Sequence, residues 1–228
     1  YTGGLIGVHS AGRDRDSLWE GIDNKQVYGT SGERMMLWFD LLNGPQGETP
    51  MGSEVWQQKA PKFRVRALGA FKQKEGCPDY SRDALGEDRI ADLCRGECYN
   101  PIDERKAITR IEVVRIRPQL SPEENIAQLI DDNWKVFDCP ADGSGCEIEF
   151  EDEEFTSAGR QTLYYARAIQ EAQPTINGDN YRCDYNEAGE CIKINFCNGT
   201  ETQADEACLG MAEPRAWSSP IWLDFAGE

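Results

Sequence analysis

Residues 62–71 read KFRVRALGAF and residues 146–150 read CEIEF. In the first, Phe63, Val65 and Ala67 alternate with Arg64 and Arg66, the period of a strand with one buried and one wet face. ITRIEVVRIRP at 108–118 and TLYYARAIQ at 162–170 carry the β-branched and aromatic residues that suit a pleated surface. Working outward, WKVFD at 134–138, CIKINF at 191–196 and PIWLDF at 220–225 have the same character, and QVY, GTSG (29–32) and MMLWFDLL read as strand, turn and strand. Many short strands joined by turn signals predict a mainly β chain, a β-sandwich with insertions.

Two helices are predicted. In DRDSLWEGIDNK (14–25), Leu18, Trp19 and Ile22 share one helical face behind acidic residues suited to a first turn. Ser121-Pro122-Glu123-Glu124 has the form of a capping box with proline at the first helical position, and Ile126, Leu129 and Ile130 would mark the buried face of a helix ending near Asp132. NGPQGETPMGS at 43–53 reads as a loop. Two polar, cysteine-bearing stretches, about 72–106 and 177–213, read as insertions.

The 228 residues include 24 Lys plus Arg against 41 Asp plus Glu, a net charge of -17. That field repels phosphate backbones and anionic lipid headgroups, so nucleic acid is not an expected partner. No apolar run approaches the roughly 20 residues that span a bilayer. The chain opens on YTGGLIGV without an initiator methionine or a cleavage motif and reads as a processed or partial chain.

Nine cysteines are a heavy load for a reducing cytosol and predict a secreted, periplasmic or cell-surface protein. Cys139 and Cys146 flank PADGSG, Cys183 and Cys191 flank DYNEAGE, and Cys197 and Cys208 flank a polar loop beginning NGT. Each pair closes a loop short enough for a local disulfide. Cys77, Cys94 and Cys98 form an odd set, with Cys77 expected to bridge Cys94 or Cys98 and one thiol left over. The competing reading of these three is a zinc site.

Little else points to chemistry. His9 is the single histidine and cannot build a His-rich metal site, so a structural or incidental role is expected. Ser31, Ser218 and Ser219 have no other histidine to act as base. Glu151-Asp152-Glu153-Glu154 lacks the spacing of a calcium loop and reads as a solvated edge. GTSG leads into a strand rather than a helix, which leaves it a tight turn rather than an anion cradle. Trp217 and Trp222 suit packing more than sugar stacking, and NGT at 198–200 is a glycosylation acceptor in form only. Neither catalytic nor metal-binding residues are assigned within these 228 residues.

Three stretches together carry a resemblance: DRDSLWEGIDNKQVYGTSGERMMLWF at 14–39, TLYYARAIQEAQPTINGDNYRC at 162–183, and DEACLG followed by PRAWSSPIWLDF within 205–225. They resemble the bacterial domain of unknown function 3604 family, whose proteins look like relatives of the PHP (polymerase and histidinol phosphatase) metal-dependent hydrolases. Arg15 and Asp16 match that family's Arg-Glu pair, and Val27 to Gly32 its Val-Tyr-Ala-Thr-Ser-Gly turn, while His9 departs from the pattern. The resemblance implies that 1–32 closes a PHP-like α/β domain and that 33–228 is a β-sandwich domain packed behind it. It further implies that the divalent metal and its ligands belong to sequence before Tyr1, with a phosphoester or other polar ester as substrate. A structural or binding module of an extracellular assembly, or a carbohydrate-binding module, is the alternative. If 1–32 closes such an α/β domain, Leu5, Ile6, Val8, Leu18, Trp19 and Ile22 lack their full cover within the chain and are expected to meet a partner: the protein's own N-terminal domain or other subunits.

Overall fold

The structure is a computed structural model that describes residues 3–178, 182–195, 197 and 208–225. It is mainly β. The chain begins with β1 (Leu5–Val8), α1 (Arg15–Asp23) and β2 (Val27–Thr30), then β3 (Met36–Gly44), β4 (Gly47–Pro50), β5 (Glu54–Gln57) and β6 (Lys62–Leu68). An excursion follows, made of β7 (Phe71–Gln73), α2 (Asp79–Leu85), α3 (Glu87–Cys94) and β8 (Pro101–Arg105). Then come β9 (Ile108–Ile116), a single 3-10 turn at Ile126–Gln128, β10 (Ile130–Asp138), β11 (Cys146–Glu151), α4 (Phe155–Ala158) and β12 (Thr162–Gln170). The remaining described strands are β13 (Gln173–Ile176), β14 (Cys183–Tyr185), β15 (Cys191–Ile194), β16 (Leu209–Ala212), β17 (Arg215–Ser218) and β18 (Ile221–Phe225).

Two sheets share one core. The smaller has the order β11-β6-β3-β4; the larger has eight strands, running β1-β2-β17-β12-β18-β5, with β9 on the other side of β12 and β10 beyond it. Alternation sends Leu37, Phe39 and Leu41 of β3 and Phe63, Val65 and Ala67 of β6 against Ile111 and Val113 of β9, Tyr164, Ala166 and Ala168 of β12, and Ile221 and Leu223 of β18. The rings of Phe63 and Tyr164 meet across the interior at 4.8 Å. One edge of β12 is shared by β17 and β18, which are two halves of a single strand. Their pairing register slips by one residue between Arg167↔Trp217 and Tyr164↔Ile221. The slip falls at Ser219-Pro220, where proline has no N–H for the ladder, and the Ser218 hydroxyl fills the gap by accepting from the Ala166 amide at 3.0 Å.

Two local expectations need correction. Residues 43–53 are not simply a loop: β4 folds back on β3 with Gly44 opposite Gly47, and Gly47 sits at φ 102°, where a side chain would be strained. The helix expected over 121–132 is replaced by the 3-10 turn and the start of β10. Ile130 pairs with Ile116 on β9, and the Arg117 amide donates to the Leu129 carbonyl, so the open edge of β9 takes the backbone that a helix would have used. Ile126 stays exposed and only Leu129 is buried, which leaves such a helix without an apolar face to bury.

Glu124 serves that turn in place of a helix. Its carboxylate accepts from the Leu120 amide at 2.7 Å and from both terminal nitrogens of Arg160 at 2.9 and 3.1 Å. The Arg160 guanidinium, helped by the Leu120 amide, holds the Glu124 carboxyl down at about 2. Because the folded value is depressed, this pairing favours the fold above the ordinary glutamate range and is lost as pH falls toward 2. Carboxyl NMR is expected to show Glu124 titrating near 2, and Arg160→Gln to return it toward 4.5. An unmoved midpoint would mean the ion pair is not formed in solution.

Four disulfides brace these elements: Cys77–Cys98, Cys139–Cys146, Cys183–Cys191 and Cys197–Cys208. Cys183–Cys191 ties β14 to β15. Cys139 directly follows β10 in the larger sheet and Cys146 opens β11 in the smaller, so their bond joins the two sheets at one end of the core. The Cys139→Ser, Cys146→Ser double variant is expected to lose about 2–3 kcal/mol in urea unfolding, since the loop closure no longer restrains the unfolded chain. Unchanged stability would show that native strain cancels the constraint.

Candidate interaction surface

Residues 3–30 join the larger sheet through β2, which pairs with β17 on one side and β1 on the other. Asp14 starts α1, accepting from the Ser17 amide at 3.0 Å and the Ser17 hydroxyl at 2.7 Å. The helix lies close on the strand because Gly21 is buried there: a Cβ at that position would stand 2.5 Å from the His9 carbonyl oxygen and 2.9 Å from Val8. α1 therefore covers the face of β1 that bears Val8 and, by alternation, Ile6; Leu5 belongs to the opposite face with Gly7.

That cover is incomplete. Val8 is half-buried, but Leu5, Leu18 and Ile22 are exposed, Ile6 is 75 % exposed and Trp19 is 67 % exposed. Pairing extends the exposed set across the sheet. Ile6 stands opposite Gly29, Gly29 opposite Trp217, and Trp217 opposite Arg167, so these residues form one row on the outer face. Trp217 is 36 % exposed, and a Cβ built on Gly29 meets nothing within 4 Å, leaving bare backbone between two apolar side chains. Further along, the row turns charged: Arg167 bonds Glu112 at 2.9 Å and Asp132 at 3.1 Å, and Arg110 holds Glu213 at 2.7 Å. An apolar centre with a polar rim is the anatomy of a protein contact surface. Among the described residues β1 pairs only with β2, so its outer edge offers unpaired backbone groups as well.

The sequence reading of Trp217 as packing missed its place in this row, which depends on the pairing of β17 with β2. Trp222, half-buried, follows the same alternation and stands opposite Leu163. His9 has a structural position: its Nε2 donates to the Leu37 carbonyl at 2.8 Å, and its ring leans on Tyr28 and Trp38. Ser31 and Ser218 accept from the backbone amides of Arg215 and Ala166.

The acidic run is a correction. Asp152 is not a solvated edge but 2 % exposed, at one end of the core. Its carboxylate accepts from Arg115 Nη1 at 3.1 and 3.2 Å, from the Tyr164 hydroxyl at 2.6 Å and from the Glu154 amide at 3.0 Å. Arg115, itself 6 % exposed, also holds Asp131 and Glu154 and lies over the Trp134 ring at 4.6 Å. Burial, then the neighbouring Asp152 charge, pushes the Tyr164 hydroxyl far above the ordinary tyrosine range, so it stays a donor. Every strong group here is matched by another, which makes the cluster a structural strut.

Among the described residues, the one group of three ligand-type side chains close enough to share an ion is Cys77, Cys94 and Cys98, and two of its sulfurs form a disulfide. No described helix is long and apolar enough to cross a membrane. The NGT acceptor at 198–200 and Phe196 lie outside the described residues. Compared with known proteins, the chain matches no family model, no curated protein and no solved structure.

Proposed function

We propose that this chain is the non-catalytic, disulfide-braced β part of an exported protein, and that its outer face at β1, α1, β2 and β17 docks onto an α/β domain of metal-dependent hydrolase type. One observation carries the reading: Ile6, Trp19, Leu18 and Ile22 are exposed beside a strand edge that is unpaired among the described residues, with Trp217 in the same cross-strand row. Apolar patches of this kind mark contact surfaces, and an open edge flanked by a helix suits continuation by further strands and helices. The resemblance of 14–39 and 162–183 to the domain of unknown function 3604 family names the partner as an α/β domain carrying the divalent metal, with a phosphoester or other polar ester as substrate. Four disulfides fit an oxidising compartment, periplasmic or extracellular.

Hydrogen exchange on the chain alone, and on it joined to the α/β domain, tests this. Amides of β1 and α1 are expected to exchange quickly in the isolated chain and to gain protection in the joined protein. A monomeric isolated chain whose residues 3–30 already resist exchange and proteolysis would overturn the docking surface. A self-associating chain that ignores the α/β domain would instead favour a structural module.

A further inference from the structure

The α2–α3 excursion holds three sulfurs within 4.8 Å of one another. Cys77 precedes α2 and is buried; its disulfide to Cys98 spans 21 residues and encloses both helices. Cys94 is the last residue of α3 and is the free, half-buried thiol. Arg95 (φ 51°) and Gly96 (φ 82°) then reverse the chain, bringing Cys98 back beside the helix end. Cys94 Sγ comes to rest 3.7 Å from Cys98 Sγ, near van der Waals contact with a bonded sulfur.

A thiol this near a disulfide can exchange with it, by thiolate attack on one sulfur and departure of the other, once the Cys94 side chain swings into line behind the Cys77–Cys98 bond; with all three sulfurs within 4.8 Å of one another it now lies to the side of that bond. We propose that Cys77, Cys94 and Cys98 form a thiol–disulfide exchange site in which Cys94 displaces Cys77 from Cys98. The Cys94 thiolate, its proton given to solvent, donates an electron pair to Cys98 Sγ. The Cys94–Cys98 bond forms as the Cys77–Cys98 bond breaks, and Cys77 leaves as a thiolate that takes up a proton. One disulfide and one thiol stand on each side, so no oxidant or reductant is consumed. The exchange changes what is tied: the first bond anchors the start of α2 to the segment after α3, whereas the second closes only the turn behind α3 and releases α2. The burial of Cys77 favours the first form at rest.

The test uses the full chain, oxidised by the route that forms its other disulfides. Iodoacetamide is added at pH 8 without reductant, the reaction is stopped with acid, and disulfide-linked peptides are mapped. Two products are expected: label on Cys94 with Cys77–Cys98 intact, and label on Cys77 with Cys94–Cys98 formed. Cys94→Ser should abolish labelling of Cys77. Cys77→Ser should yield a Cys94–Cys98 bond with no free thiol, which reads the geometry without depending on the exchange rate. Label confined to Cys94, together with two free thiols in Cys77→Ser, would overturn the proposal. So would purification with all three thiols reduced around a zinc ion.

Discussion

Asp152→Ala is expected to cost about 3–5 kcal/mol in urea or thermal unfolding, because it breaks a buried ion pair and removes the most buried of the three carboxylates on Arg115. Arg115 and Tyr164 point into the interior between the sheets, and the Asp152 carboxylate is the acceptor they share. Without it, the Tyr164 hydroxyl loses its charged acceptor, and Arg115 keeps only Asp131 and Glu154, both better solvated than Asp152. The loss is a large share of a typical stability of about 5–15 kcal/mol. Tyr164→Phe, which removes one donor and leaves the ion pair, should cost only about 1 kcal/mol. A loss below about 1 kcal/mol for Asp152→Ala would show that water or Glu154 replaces the carboxylate, and the strut would lose its assigned role.

Trp19→Ala and Ile6→Asp are expected to weaken binding of the proposed α/β partner by about 2 kcal/mol or more each, roughly 30-fold in Kd, while leaving the unfolding midpoint of the chain almost unchanged. The separation of the two readouts follows from exposure: neither side chain is buried in the isolated chain, so its loss removes little intrachain packing. Gly29→Lys sharpens the test. Gly29 has no positive φ, and a Cβ there meets nothing within 4 Å, so the sheet accepts the substitution. The same side chain would stand between Ile6 and Trp217 and hold a partner away from the row. Titration calorimetry checks all three. Full affinity in Gly29→Lys would place the contact elsewhere, whereas loss of folding in Trp19→Ala would make that residue part of the core.

Local sequence determines structure most fully where neighbouring residues decide the outcome. The alternation in KFRVRAL and CEIEF gives strands whose wet and buried faces follow from a side-chain period of two, and β6 and β11 pair residue by residue along those faces. Asp14 before Arg15–Asp23 is a local capping signal, and α1 begins there. The capping-box pattern at 121–124 fails for an equally definite reason: a helix over 121–132 competes with the edge of β9, and pairing of Ile130 with Ile116 supplies the backbone partners. Sequence spacing left Cys77 with two possible partners and could not separate Asp152 from the carboxylates around it.

Composition, alternation and cysteine spacing by themselves determined a mainly β, acidic chain braced by short disulfide loops, because each rests on contacts among residues near in sequence. Only the tertiary structure decided that Asp152 is buried under Arg115, that Cys98 takes Cys77 while Cys94 waits beside it, and that Ile6, Gly29 and Trp217 form one row. Those three relations join residues 37, 21 and up to 211 positions apart. Sheet order and register set such distances, and they depend on which edges pair, a choice made by the whole chain when it closes its core.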